Sequence, residues 1–201
     1  ACVFTNVTGD HLDYHGTFER YLATKRGLFR QIETTGADAI LNADDPGVAG
    51  TPCTNAVRCS LEQSHADGWF ALRAGTSVDG ERLALRHGDS TIEASVPMFG
   101  AFNAMNAMQA VAAAWAVLAR AGVDEADLAH RLSDALSLVC APPGRLEPMH
   151  SDGDDVRVFV DYAHTHDAFE RVLSSLRAVM ESGGDADARL WCVFGCGGDR
   201  D

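Results

Sequence analysis

Short apolar runs alternate along this chain with longer segments in which apolar residues recur every three or four positions. The short runs predict buried strands and the periodic segments predict amphipathic helices. Predicted strands cover residues 1–6, 38–42, 156–161 and 190–194, with several more within 55–97, where 78–81 is a candidate hairpin turn. Predicted helices begin near residue 17 and cover 101–121, 124–138 and 167–182. Strand and helix therefore alternate, which favours an α/β fold with parallel strands.

The pattern breaks once, at the Pro-Pro-Gly run that follows residue 141. Two prolines and a glycine cannot continue a helix, so this point is the best candidate for a domain boundary or hinge. We therefore expect one domain over 1–141, with a small β portion at 55–97, and part of a second domain over 142–201. Because the chain opens inside an apolar strand pattern, we also expect a fragment of a longer protein.

Composition narrows the classes of partner. The formal net charge is −13 and the sequence pI is about 4.9, so the surface repels nucleic-acid phosphates. An anionic small substrate fits this charge only where cations gather locally. No apolar run approaches the length of a membrane span, and no signal peptide opens the chain. The six cysteines are scattered, which predicts reduced thiols in a cytoplasmic protein without membrane partners.

A polar loop follows the first predicted strand and carries side chains that bind metals or move protons: Asp10, His11, Asp13 and His15. Carboxylates and imidazoles this close in sequence fit a metal site or an acid–base site. They fit equally well a polar turn that caps the next helix. A zinc or iron hydrolase built on His11, Asp13 and His15 is an alternative that these residues leave open.

Lys25 is the only lysine among 16 basic residues, and it falls within the apolar stripe of the helix that begins near Thr17. A lysine on an apolar face must reach for solvent, pair with an acid or lose its charge. A neutral amine can capture carbon dioxide as a carbamate, whose oxygens could bridge magnesium ions. From periodicity alone, a lysine that reaches for solvent is the simpler interpretation.

Three further segments carry polar groups at the ends of predicted elements. Asn103 and Asn106 open a helix three positions apart, a spacing that suits an adenine edge or simply a capped helix end. Arg145 lies at the hinge, well placed for a phosphate. Asp161 follows a strand, where open α/β sheets bind ligands and an Asp commonly accepts hydrogen bonds from ribose. The glycine cluster at 195–201 could approach a phosphate, although no G-x-x-x-x-G-K-[ST] loop occurs in the chain.

Each of these signals is weak alone, but their order is specific. The chain resembles the Mur ligases, and within them the subtype that adds the third residue to UDP-N-acetylmuramoyl-L-alanyl-D-glutamate. The positions that carry the resemblance span the whole chain: 5–16, Lys25, 41–45, 99–106, 143–147, 161–165 and 194–201. The most specific are Asp-Tyr-Ala-His at 161–164 and Gly-Cys-Gly-Gly-Asp-Arg-Asp at 195–201. One departure is His166, where the family usually has proline.

The resemblance implies a fold and a set of roles. The first domain would be the family's central ATPase-type domain, with a mostly parallel sheet. The second would be the start of its Rossmann-like C-terminal domain. His11 and a carbamylated Lys25 would be catalytic and would hold Mg²⁺. Asn103 and Asn106 would contact the adenine of ATP. Arg145 and Asp161 would contact its phosphates and ribose. Tyr162 and His164 would line the nucleotide cleft.

The implied activity is ATP-dependent amide-bond formation in cytoplasmic peptidoglycan synthesis. The substrate carboxylate would attack the γ-phosphate to give an acyl phosphate. The amine of the third amino acid, expected to be meso-diaminopimelate rather than L-lysine, would then attack it. We expect a monomer that handles small molecules, and no turnover by this polypeptide alone, because the family's phosphate-binding loop is missing. The alternatives are another ligase of the superfamily (folylpolyglutamate or cyanophycin synthetase), a metal-dependent hydrolase and a non-catalytic nucleotide-binding relative.

Overall fold

The structure is a computed structural model that describes residues 1–149, 151, 153–183 and 188–195. Its strands are β1 (Cys2–Phe4), β2 (Ala39–Asn42), β3 (Ala56–Ser60), β4 (Trp69–Ser77), β5 (Gly80–His87), β6 (Ser90–Val96), β7 (Glu147–Pro148) and β8 (Phe159–Val160). Its helices are α1 (Leu12–His15), α2 (Phe18–Glu33), α3 (Pro46–Ala49), α4 (Ala101–Arg120), α5 (Glu125–Ser137) and α6 (His166–Ser182). These elements confirm the predicted α/β class.

Strands β1 to β6 form one sheet in their sequence order. β1 to β4 pair in parallel, whereas β4 to β6 pair antiparallel. The sheet is therefore mixed, and its antiparallel half is the small β portion expected within 55–97. Ser77 pairs with Gly80 across the β4–β5 turn, which confirms the hairpin expected at 78–81. β7 and β8 form a separate antiparallel pair.

Both faces of the parallel half are buried, as the alternation along β2 shows. Ile40 lies in the core shared with α4 and α5, whereas Ala39 and Leu41 lie in the core shared with α2. All three are at most 1% exposed. Successive side chains of a strand point to opposite faces, so a strand covered on both sides needs apolar residues at consecutive positions. That requirement explains the unbroken apolar run at 39–41.

Helix α4 fills the larger core, where Met105, Met108 and Trp115 pack against the sheet and α5. By length and composition alone, α4 is apolar enough to cross a membrane, with a mean hydropathy of 1.2. This finding corrects the expectation that no apolar run approaches that length. Half of the apolar window is nevertheless buried inside the protein, which is the arrangement of a core helix packed on a sheet.

Local side chains fix the starts of α2 and α6, as the sequence predicts for α2. Thr17 Oγ1 accepts a hydrogen bond from the Arg20 N–H at 3.3 Å, and Thr165 Oγ1 accepts one from the Ala168 N–H at 3.3 Å. His166 is therefore the first residue of α6. The N–H of a first helical residue has no intrahelical partner, so proline and other residues are accepted there alike. The departure from the family pattern at His166 leaves the helix start intact.

The segment after residue 141 packs on the preceding residues through a third, smaller core. Phe99, Leu146 and Val179 are buried together in it, and Phe102 and Phe159 pack against them. This core brings α6 against the start of α4. Leu146, in the segment that follows residue 141, is therefore packed between α6 and the start of α4.

Two expected strands differ from the structure. Residues 190–194 form no strand, so that prediction is wrong, and the strand expected at 156–161 is limited to Phe159–Val160. A strand is stabilised by hydrogen bonds to a neighbouring strand as well as by its own propensity. The part of the chain that the structure describes offers residues 190–194 no such neighbour, so an apolar run with strand propensity stays irregular.

Candidate functional site

The carboxyl ends of β1 and β2 are tied together by one side chain at the end of β2 and one just after it. Asn42 Nδ2 donates to the Thr5 carbonyl at 2.7 Å, and Asp45 Oδ2 accepts from the Val7 N–H at 3.1 Å. Open α/β sheets bind ligands beyond the carboxyl ends of their parallel strands. These bonds fix the start of the polar loop that reaches that edge. The segment 42–45 therefore positions the loop rather than serving only as a turn.

Asp44 ties the end of β3 into the same edge. Its carboxylate accepts hydrogen bonds from the Leu61 N–H at 2.7 Å and from the Ser60 hydroxyl. Cys59 lies nearby and is fully buried. Burial, and to a lesser extent the negative charge of Asp44, raises the pKa of the Cys59 thiol from 9.0 to about 12. The cysteines that the structure describes are free thiols, as expected, and Cys59 is an inert one.

Two loop histidines and Lys25 converge on the ring of Tyr21. The Tyr21 ring centroid lies 6.0 Å from that of His11 and 5.0 Å from that of His15. Lys25 Nζ lies 5.2 Å from the same centroid. Tyr21 itself is 7% exposed and belongs to the core shared by β1, β2 and α2. We call these four residues the Tyr21 group; the sequence placed Tyr21 only in the apolar stripe of its helix.

Lys25 is exposed, which agrees with the simpler interpretation of its position, a lysine that reaches for solvent. The stripe of α2 is buried at Tyr21 and Phe29, but Leu28 is 51% exposed, so the stripe is only partly covered. A lysine beside the face of a tyrosine at an exposed site gains about 0.5–1 kcal/mol from the cation–π contact. These contacts fit a lysine that reaches for solvent along an aromatic ring.

The loop side chains do not form the metal cluster that the hydrolase alternative requires. Among the described residues, no three His, Cys, Asp or Glu side chains are placed to hold a metal ion together. His11 pairs instead with Asp10, whose Oδ1 accepts from the His11 N–H at 2.8 Å and whose Oδ2 lies 3.4 Å from His11 Nε2. A hydrolase site made of His11, Asp13 and His15 therefore has no geometric basis here. The geometry still allows a metal site in which His11 is the only ligand from the loop.

The two amides at the start of α4 have different environments. Asn103 is 8% exposed, and its Nδ2 donates to the Phe99 carbonyl at 2.9 Å. Asn106, one turn further on, is exposed. Residues three apart are neighbours on a helix surface, so the two amides share one side of α4 at different depths. Asn103 is therefore engaged with the segment before the helix, and Asn106 is the amide open to a ligand.

The start of α4 is also held by a buried carboxylate that the sequence analysis missed. Glu81 is 1% exposed, and its Oε1 accepts from the Gly100 N–H at 2.8 Å. Arg73 donates to the same carboxylate through Nε at 2.9 Å and Nη2 at 2.5 Å, and the Thr76 hydroxyl donates at 3.0 Å. The available signal was an acidic residue in phase with the inward-facing leucines of β5.

Arg145, Tyr162 and His164 form an exposed group at the hinge. Arg145 Cζ lies 5.2 Å from the Tyr162 ring centroid, and the rings of Tyr162 and His164 are 5.1 Å apart. The Tyr162 N–H donates to the Gly144 carbonyl at 2.8 Å, which joins the two segments. The structure thus brings together three residues that the sequence took from two separate motifs. We call these three residues the hinge group.

Asp161 lies beside the hinge group, but its carboxylate is engaged by backbone. Oδ2 accepts from the Leu146 N–H at 2.8 Å, and Oδ1 accepts from the Ala163 N–H at 2.7 Å. Each carboxylate oxygen keeps a second lone pair, so a ribose hydroxyl could still donate to it. The role that these bonds give Asp161, and that the sequence missed, is to shape the turn that carries Arg145.

A pocket of about 490 Å³ lies elsewhere, beside the β4–β5 hairpin, and is lined partly by Gly75, Glu81, Arg82 and Val96. None of the site residues predicted from sequence lines it. The pocket contains none of the polar side chains that gather at the ends of β1 to β3, so those strand ends are the better candidate site. Positions 196–201 of the glycine-rich motif lie outside the described residues.

Two family models match the chain. Residues 1–114 match the Mur ligase middle domain, and residues 144–201 match the Mur ligase glutamate ligase domain. Matched regions cover most of the sequence and fall in the order that the motifs indicated. The chain therefore belongs to the Mur ligase family.

Individual relatives are more specific. A UDP-N-acetylmuramoyl-L-alanyl-D-glutamate–2,6-diaminopimelate ligase of Vibrio parahaemolyticus is 39% identical over 209 residues, covering 100% of this chain and 38% of the relative. A solved structure with the same printed name is 31% identical, with a TM-score of 0.65 over 99% of this chain and 38% of that one. A folylpolyglutamate synthase of Mycobacterium tuberculosis, 23% identical with a TM-score of 0.65 over 88% and 39%, shows the fold alone. The chain spans about two fifths of the length of the curated relatives it matches.

Proposed function

We propose that this chain is the catalytic middle of an ATP-dependent ligase that joins meso-diaminopimelate to UDP-N-acetylmuramoyl-L-alanyl-D-glutamate in peptidoglycan synthesis. The observation that carries this proposal is the identity of 35–39%, across essentially the whole chain, to relatives that bear that name. The folylpolyglutamate alternative shares the fold at lower identity. The hydrolase alternative lacks its metal cluster among the described residues.

The division into domains is part of the proposal: residues 1–141 for the central domain and 142–201 for the start of the C-terminal domain. It is supported by the absence of a helix or strand between Ser137 and Glu147. Gly144 and Leu146 there both have positive φ, 67° and 47°. A segment without regular hydrogen bonds is the natural place for a domain to rotate.

We assign Mg²⁺ to the Tyr21 group, with His11 and Lys25 as ligands. An ammonium repels a cation, so Lys25 fits this role only as a carbamate. The ammonium first loses one proton, and the neutral amine then takes up carbon dioxide, forming an N–C bond and releasing a second proton. The carbamate oxygens are then ligands of the kind that Mg²⁺ prefers. Both side chains are open to solvent at the Tyr21 ring. Bound Mg²⁺ would neutralise charge on the transferring phosphoryl group.

We assign ATP to the start of α4 and to the hinge group. Asn106, and Asn103 through its free Oδ1, would meet the adenine. Arg145 would pair with the phosphates, and Asp161 would accept a bond from ribose with its remaining lone pairs. Tyr162 and His164, which already contact each other and Arg145, would line the cleft.

In the reaction, a substrate carboxylate oxygen attacks the γ-phosphorus and ADP leaves, giving an acyl phosphate. The amine of diaminopimelate attacks the acyl carbon, and the tetrahedral intermediate expels phosphate to leave an amide. Arg145 would compensate the charge that develops on the phosphoryl oxygens. The assignment implies small-molecule partners only, a cytoplasmic location and a monomer.

The test is phosphate release by the complete gene product that contains residues 1–201, supplied with ATP and Mg²⁺. UDP-N-acetylmuramoyl-L-alanyl-D-glutamate is present or omitted, and meso-diaminopimelate is compared with L-lysine. We expect release that requires both the nucleotide-sugar dipeptide and meso-diaminopimelate. Residues 1–201 alone, which contain no G-x-x-x-x-G-K-[ST] loop, should release none.

Phosphate release with L-lysine only would identify L-lysine as the third residue and leave the ligase assignment unchanged. Release that needs a folate substrate, or none with any of these acceptors, would overturn the proposed reaction.

A further inference from the structure

Helix α4 begins at a residue that cannot cap it. Its N-cap is Gly100, which has no side chain to accept a hydrogen bond. A side chain at this position would also collide, because a Cβ would lie 2.9 Å from Phe102 Cε1 and 3.0 Å from Ser175 Oγ. The φ of 102° at Gly100 is a further barrier to any other residue. An acceptor for this helix start must therefore come from elsewhere in the fold.

That acceptor is Glu81, nineteen residues away on β5, through its 2.8 Å bond from the Gly100 N–H. In a capping box, a Glu at the third helical position makes this bond to the N-cap N–H. The third helical position of α4 is Asn103, whose Nδ2 is used on the Phe99 carbonyl. Glu81 takes the place of the capping-box Glu and leaves that position to an asparagine. Its negative charge also suits the positive end of the helix dipole.

Arg73 fixes the direction of the Glu81 carboxylate. Two guanidinium nitrogens of Arg73 and the Thr76 hydroxyl all donate to it, so both oxygens have donors although the side chain is 1% exposed. Such a pair is rigid, because a buried carboxylate that swings away from its donors loses several bonds at once. Because this rigid pair accepts the hydrogen bond from the Gly100 N–H, it also holds the first turn of α4 in place.

We propose that Glu81, held by Arg73, is a positioning residue for the nucleotide site, because it sets the first turn of α4 that carries Asn103 and Asn106. The link to ATP rests on the proposed function, whereas the link to the helix start does not. Glu81 lies under the turn and touches no group assigned to ATP, so it acts through Gly100. Its loss should weaken nucleotide binding more than binding of the other substrates.

The first experiment measures amide hydrogen exchange of residues 99–104 in the complete gene product, for the wild type and Glu81→Gln. Glu81 accepts with both oxygens, whereas the Gln amide has one oxygen and an NH2 group that must face donors, either Arg73 Nε and the Thr76 hydroxyl or the Gly100 N–H. The bond to Gly100 is therefore lost or weakened, so exchange should accelerate about tenfold or more. Asp38→Asn is the matched control: it replaces a carboxylate paired with Arg120, at 2.9 Å, at the opposite end of the same helix. Equal exchange in the wild type and Glu81→Gln would overturn the proposal.

The second experiment measures the Kd of ADP and the KM of ATP, the nucleotide-sugar dipeptide and diaminopimelate. For Glu81→Gln we expect the Kd of ADP and the KM of ATP to rise about tenfold. The KM values of the nucleotide-sugar dipeptide and of diaminopimelate should change less than about twofold. Leu128→Ala, which opens a core position of α5 that is 0% exposed, controls for general loss of stability. If all the constants move together, as a destabilised protein would show, Glu81 is only structural and the proposal fails.

A double variant tests the partnership with Arg73. Arg73→Met alone leaves a buried carboxylate without its main donors, so it should raise the Kd of ADP at least as much as Glu81→Gln. The pair Arg73→Met with Glu81→Gln should be less impaired than the product of the two single effects. Strictly multiplicative effects would contradict the role of Arg73. If the wild type binds no ADP, the proposed function fails, and the hydrogen-exchange result alone decides the role of Glu81.

Discussion

The carboxylate of Asp161 accepts a hydrogen bond from the Leu146 N–H at 2.8 Å, and Leu146 has a left-handed φ of 47°. A left-handed backbone costs a non-glycine residue about 1–2 kcal/mol. The bond to Asp161 and the burial of the Leu146 side chain, which is 5% exposed, offset that cost. The turn that presents Arg145 therefore depends on a carboxylate in the next motif.

Replacing Asp161 by Asn should weaken this turn. Asn has one acceptor oxygen where Asp161 uses two, one for Leu146 and one for Ala163. The free energy of unfolding should fall by about 1–3 kcal/mol, measured by urea denaturation. Asp134→Asn, which removes an exposed partner of His130, is the control and should change it by less than about 0.5 kcal/mol. Equal effects of the two variants would contradict the role of Asp161.

Replacing Lys25 by Arg tests the carbamate. Arginine keeps the positive charge and the contact with the Tyr21 ring, but it cannot form a carbamate. Phosphate release should fall at least about 100-fold, because a metal ligand is lost, while the melting temperature stays the same. After incubation with ¹³C-bicarbonate, the wild type should show a carbamate carbon resonance and Lys25→Arg none.

Arg30→Lys on the same helix is the control for the Lys25 experiment. Arg30 is exposed, so this reverse exchange should leave phosphate release within about twofold. A Lys25→Arg protein that keeps more than half of the wild-type rate would show that the carbamate assignment is wrong.

Cys59 should make the protein less stable at high pH. Because the folded state raises its pKa from 9.0 to about 12, the thiol binds its proton more tightly in the folded state. This contribution to stability is complete below pH 9 and is lost as the pH rises from 9 to 12, up to about 4 kcal/mol. Urea midpoints at pH 7.5 and 10.5 should therefore differ more for the wild type than for Cys59→Ala. The exposed Cys140→Ala should behave like the wild type; a Cys59→Ala protein with unchanged pH dependence would refute the assignment.

His166→Pro should be tolerated or mildly stabilising. His166 opens α6, and the preceding Thr165 is extended with φ −117° and ψ 156°, which is the conformation that a following proline requires. We expect a gain of up to about 1 kcal/mol in the free energy of unfolding. Ser174→Pro in the exposed interior of α6 should instead cost about 3 kcal/mol or more. A large loss for His166→Pro would show that this helix starts elsewhere.

The sequence by itself predicted the elements whose causes are local. Thr17 caps α2 through a residue three positions away, and a two-residue turn closes the β4–β5 hairpin. The motif order was enough to indicate the family, because several short motifs in one fixed order are far more specific than any of them alone. The resemblance to that family also implies one nucleotide site for Arg145, Tyr162 and His164, which stays a prediction.

Only the tertiary structure decided the contacts that cross the chain. Glu81 caps a helix nineteen residues away, Asp161 bonds a turn fifteen residues away, and neither spacing has a periodic signature. Lys25 lies in the apolar stripe by period but is exposed, because what covers a helix face is another part of the fold. The run at 190–194 has strand propensity but no neighbouring strand among the described residues. Propensity and period act within a few residues, whereas burial and pairing are properties of the whole packed chain.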